Sequence, residues 1–122
     1  MNARSSGTID VGVSKIGPAP SGSIVVNLTV GRDIKRLDLP GLPHLGSGIS
    51  WTWNGNPVMA TPHLREGKLS VLDMRNWSVV KVIDTPGPGF FMRSHEKTPY
   101  AWTDGMLGKQ KDTMVIVDKN SL

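Results

Sequence analysis

Apolar residues beyond residue 22 come in short runs rich in Val and Ile, broken by Gly, Pro and Asn. The runs at 24–30, 58–61, 69–73, 79–84 and 114–118 each have roughly the length of an ordinary strand, about five residues, and 49–53 reads as a strand too. No stretch sustains apolar residues at i, i+3 and i+4, so helix should be scarce. Residues 69–73 and 79–84 form a predicted hairpin. Polar Asp73, Arg75 and Asn76 suit its turn, and Ser78, Lys81 and Asp84 alternate with Val and Ile as in an antiparallel pair. Residues 1–22 differ. They are rich in Gly, Ser and Pro, with Gly17-Pro18-Ala19-Pro20 near the end, and lack the apolar core of a secretory signal. They are expected to be a flexible tail or linker ahead of one domain at 23–122.

The chain repeats itself. Leu37-Asp38-Leu39-Pro40-Gly41 returns 46 positions later as Ile83-Asp84-Thr85-Pro86-Gly87. Asn56-Pro57-Val58-Met59-Ala60-Thr61 returns 42 later as Thr98-Pro99-Tyr100-Ala101-Trp102-Thr103, and Ser70-Val71-Leu72-Asp73 returns 45 later as Val115-Ile116-Val117-Asp118. A unit of about 45 residues with four short strands is the pattern of a propeller blade. The fold class expected is all-β: a β-propeller fragment of about two four-stranded antiparallel blades plus part of a third. A closed propeller needs about four to eight blades. The open sheet edges of such a fragment therefore call for the remaining blades or for self-association. An independent small β-sandwich is the competing reading.

Charge adds little to this picture. Lys and Arg number 14 against 10 Asp and Glu, a formal charge of +4, and are scattered singly. That suits a solvated surface with a mild preference for anions, not a nucleic-acid groove, which clusters cations among aromatics. There is no cysteine, which excludes disulfides, thiolate metal sites and covalent c-type haem attachment within the chain. No apolar run approaches a membrane span.

The chemistry-bearing residues are three loop histidines, His44, His63 and His95. Loops on a rigid β scaffold are where binding groups tend to sit. His63 and His95 flank the repeated strands and are expected to converge at one end of a central channel, where imidazoles ligate iron or move protons near neutral pH. Ordinary surface histidines are the plain alternative. No His-x-x-x-His pair supports a protein-only zinc site, and no Gly-x-Ser-x-Gly elbow supports a Ser/His/Asp triad. Gly46-Ser47-Gly48 and Gly87-Pro88-Gly89 look like turn glycines. Trp51, Trp53, Trp77 and Trp102 are expected to pack between blades.

Four segments carry a resemblance. Leu42-Pro43-His44-Leu45-Gly46-Ser47-Gly48, Pro57-Val58-Met59-Ala60-Thr61-Pro62-His63-Leu64, Gly87-Pro88-Gly89-Phe90-Phe91-Met92-Arg93-Ser94-His95 and Tyr100-Ala101-Trp102-Thr103-Asp104 together resemble the d1-haem domain of cytochrome cd1 nitrite reductase and its paralogues in d1-haem biosynthesis. The His95 segment is the most specific. The resemblance implies an eight-bladed propeller holding haem d1, with His63 and His95 as catalytic groups on the distal side of the iron. It implies that His44 and Arg93 join these two histidines in contacting the cofactor, whose carboxylates suit a basic chain. It implies nitrite or a d1-haem precursor as small-molecule partner, a c-type cytochrome as electron donor, and a periplasmic location. The proximal iron ligand is expected outside the chain, which by itself should not turn over nitrite. Nitrite reduction to nitric oxide is the leading expectation, d1-haem biosynthesis the alternative, and a non-catalytic propeller module the third.

Overall fold

The computed structural model describes residues 22–122, so the predicted tail lies outside the described residues except for Gly22. Nine strands follow in order: β1 (Gly22–Asn27), β2 (Arg32–Asp38), β3 (Ile49–Trp53), β4 (Asn56–Pro62), β5 (Lys68–Asp73), β6 (Val79–Asp84), β7 (Met92–Ser94), β8 (Tyr100–Asp104) and β9 (Met114–Asp118). Among the described residues the helical content is one short 3-10 turn, Leu45–Ser47.

The strands form three antiparallel sheets, each paired in chain order: β1-β2, then β3-β4-β5-β6, then β7-β8-β9. The repeats map onto them strand for strand. The Asp-x-Pro-Gly segments close β2 and β6, β4 matches β8, and β5 matches β9. The complete middle sheet is one blade, β1-β2 is the outer half of the blade before it, and β7-β8-β9 is the inner part of the blade after it. β2 escaped the hydrophobic pattern because Arg32, Asp33, Lys35 and Arg36 face solvent; only its Leu37 is buried.

Strand alternation gives the middle blade two buried faces. Val58, Ala60, Leu69 and Val71 pack against Met92, Ala101 and Val117 of the third sheet. Met59 and Leu72 point the other way, against Val25, Leu37, Leu39 and Trp77. The near-continuous apolar runs of β4 and β5 follow from this sandwiching. The hairpin turn after β5 is built by the Asp73 carboxylate. It accepts the Arg75 N–H at 2.8 Å and pairs with the Arg75 guanidinium at 2.6 Å. The guanidinium holds Asp73 below the usual carboxylate range. Trp51 and Trp53 donate their indole N–H groups across the blade boundary, to the carbonyls of Lys119 (3.0 Å) and Asn120 (2.9 Å). The second and third sheets approach most closely at β3 and β7, which are thus the inner strands.

Candidate functional site

The two ends of the blades carry different side chains. At one end lie the connection into β3, the β4–β5 turn, the β6–β7 connection and the β8–β9 loop. They are tied together by Thr85 N–H to Gly67 O (2.9 Å), Gly89 N–H to His63 O (3.1 Å) and Leu107 N–H to Pro88 O (3.1 Å). His44 stands here, just before inner strand β3. Its Nδ1 is 2.6 Å from the Phe90 carbonyl oxygen. A carbonyl only accepts, so Nδ1 carries the proton. Buried Ser47 completes the arrangement, its Oγ 2.8 Å from that nitrogen and 2.6 Å from the same carbonyl. The ring rests on Phe90, centroids 4.2 Å apart. In the neutral ring Nε2 is left with its lone pair, the form that ligates metals or accepts protons. Asp104 holds Phe90 in place, its carboxylate accepting the N–H groups of Phe91 (2.6 Å), Phe90 (3.0 Å) and Met106 (3.1 Å). Burial disfavours its charge, but these backbone donors prevail and its pKa falls.

His63 is at the same end but sealed, with 1% exposure. Its backbone bridges to Pro43, and neighbouring hydrogen bonds run from His44 N–H to Pro62 O (2.8 Å), Leu64 N–H to Leu42 O (2.9 Å) and Arg65 N–H to Gly41 O (3.0 Å). Nε2 lies 2.9 Å from the Ser70 hydroxyl. Nδ1 has no hydrogen-bond partner. Burial lowers the pKa below 6.5, with the positive charge of Lys68 acting in the same direction; the negative charge of Glu66 and the Pro40 carbonyl favour a proton on the ring but are outweighed. A Cβ at Gly41, where φ is +77°, would stand 2.6 Å from Nδ1. His63 is thus a clasp between blade connections, enclosed by the described residues.

His95 lies at the opposite end, in the β7–β8 turn. The expected convergence of His63 and His95 is corrected, for a topological reason. His63 follows β4 and His95 precedes β8; β4 and β8 are equivalent strands running the same way, so the two positions fall at opposite ends. His95 is exposed and lines a groove of about 830 Å³ between the two blades. One wall is β3, with Ser50, Trp51 and Thr52; the other is the turn, with Lys97 and Thr98, and Lys119. Arg93, exposed on β7, donates to the Met92 carbonyl at 2.8 Å and is not part of the lining. The structure therefore brings His44 and His63 together, gives His95 a groove of its own, and leaves Arg93 apart from both.

Sequence reasoning missed Ser47, Asp104, Gly41 and Lys119. Ser47 read as turn filler, and Asp104 stood in a recognised segment without a role. Lys119 had no signal beyond its place directly after a predicted strand. Among the described residues no group of three or more His, Cys, Asp or Glu is placed to hold a metal ion, and no helix is long and apolar enough to cross a membrane.

Fold and groove together define a segment of a β-propeller with a ligand-sized cleft between blades. The model of the cytochrome D1 haem domain family matches residues 12–122, and the chain belongs to that family. The match begins ahead of the predicted domain boundary at 23. Dihydro-haem d1 dehydrogenase of Pseudomonas aeruginosa is 50% identical over 101 residues, 83% of this chain and 20% of that protein. The solved structure of dihydro-haem d1 dehydrogenase NirN in complex with DHE superposes with a TM-score of 0.81 at 50% identity, covering 83% of this chain and 22% of that one. The chain thus spans about a fifth of the length of the relative it matches.

Proposed function

We propose that this chain is a segment of a propeller that binds dihydro-haem d1 for its oxidation to haem d1, the two electrons passing to a redox acceptor outside this chain, the maturation role rather than nitrite reduction. The observation that carries the reading is the 50% identity to a dihydro-haem d1 dehydrogenase through all three sheets. The relative is a dehydrogenase of the precursor, which favours biosynthesis over the nitrite-reducing alternative.

The residues suit a flat macrocycle with carboxylate edges. The groove offers the flat indole of Trp51 and the cations Lys97 and Lys119 between two rigid sheets. The tetrapyrrole itself supplies the redox chemistry when bound. What the chain supplies is position and proton handling. His95 lines the groove and provides an imidazole at its mouth. His44 stands at the other end of the blades and does not line this groove; the Phe90 carbonyl fixes the proton of its ring on Nδ1. His63 positions the connection that carries His44 and does not itself reach the ligand.

The test is a titration of the chain with dihydro-haem d1, read in the visible spectrum, followed by a nitrite assay of the loaded protein. A saturable spectral shift without nitric oxide release is expected. No shift would overturn haem binding; nitric oxide release would overturn the choice of maturation over reduction.

A further inference from the structure

We propose that Lys119 forms, with the β7–β8 turn, an anion subsite that takes a peripheral carboxylate of the tetrapyrrole. This rests on the haem-binding reading above and names how the macrocycle edge is held.

Lys119 follows β9 directly and is only 7% exposed. Lysine is rarely so buried unless paired. Yet among the described residues no carboxylate forms an ion pair with it; the ion pairs found are Arg36–Asp33, Lys68–Asp84 and Arg75–Asp73. One ammonium N–H goes to the His95 carbonyl at 3.1 Å. An ammonium has three donors, so two remain for a ligand.

The surroundings fix the group in advance. The Lys119 N–H binds the Pro99 carbonyl at 2.7 Å, and the Lys119 carbonyl accepts the Trp51 indole N–H at 3.0 Å. Asn120 is anchored likewise by Trp53 at 2.9 Å. The cost of ordering the lysine backbone is therefore met before a ligand arrives. The groove lining adds Lys97 and His95 to Lys119, against a single acidic residue, Glu96, which is exposed and not paired with either lysine. The local excess is positive. A carboxylate supplies the missing counter-charge and accepts the spare donors in charge-assisted hydrogen bonds. A neutral or cationic ligand edge leaves the ammonium buried and uncompensated, which is costly.

The test uses the 122-residue chain with coproporphyrin, which carries four carboxylates, and its tetramethyl ester, which carries none. Binding is read by quenching of tryptophan fluorescence. We expect Lys119→Met to weaken coproporphyrin binding at least about tenfold, to leave the ester unchanged, and Lys119→Arg to retain most of the affinity. Lys109→Met, an exposed lysine in the β8–β9 loop, should change nothing. Nuclear magnetic resonance of the Lys119 Nζ in the wild type should show a shift on adding the acid and none on adding the ester, which tests the contact without a variant. Equal binding of acid and ester, or full affinity in Lys119→Met, overturns the subsite and leaves the haem reading standing. Failure of the wild type to bind either porphyrin overturns both.

Discussion

At the scale of single residues, the account turns on how His44, His63 and Gly41 share one end of the blades. Gly41→Ala places a methyl group 2.6 Å from His63 Nδ1 in a left-handed conformation. We expect it to cost about 1–3 kcal/mol, read by chemical denaturation, and to disturb the His44 ring resonances as the clasp opens. His63 also makes stability depend on pH. Its folded pKa lies below 6.5, so the unfolded chain binds the proton more readily and stability rises with pH across that window. The contribution is present above pH 6.5 and is lost as pH falls from there toward the folded pKa. Denaturant midpoints should therefore drop on acidification below that point, and His63→Gln should flatten this part of the profile. A wild-type profile that stays flat there contradicts the buried, neutral ring. The three histidines were visible in the sequence as loop residues, but their roles were not. Spacing shows which strand a residue follows, whereas burial depends on Gly41, 22 positions away in the chain.

At the scale of elements, the hydrophobic pattern exposed the strands rich in Val, Ile and Leu, whether buried like β5 or largely exposed like β6 and β9, and hid those that are charged or very short. Residues 69–73, 79–84 and 114–118 were read as strands with little or no change of boundary, because apolar and polar positions declare themselves there. β2 is charged and solvent-facing, and β7 has only three residues, so neither produces a period to read. The repeat carried more information than the local pattern, since it paired β4 with β8 and β5 with β9. Their shared direction separates His63 from His95, a consequence available from the repeat itself once strand sense is followed. Leu72 tests the layering. It is fully buried and faces the β1-β2 sheet. Leu72→Ala should cost about 2–5 kcal/mol and raise hydrogen exchange in β1-β2 more than in β7-β8-β9. Uniform loss of protection would argue against separate interfaces.

At the scale of the molecule, three sheets stack face to face, and the outer face of the last is apolar. Ile116 and Met114 are 62% and 67% exposed, and the repeat equates them with the buried Val71 and Leu69 of the middle blade. Such a face associates with another apolar sheet. The 122-residue chain is expected to sediment above its monomer mass, and Ile116→Lys should lower the association. Equal sedimentation of both proteins would contradict this. The central claim, that dihydro-haem d1 is held between the second and third sheets, is tested most directly by hydrogen exchange of the chain with and without that ligand. The account predicts new protection in β3, in residues 94–99 and at 119–120. Protection confined to other parts of the chain, or none at all, would contradict it.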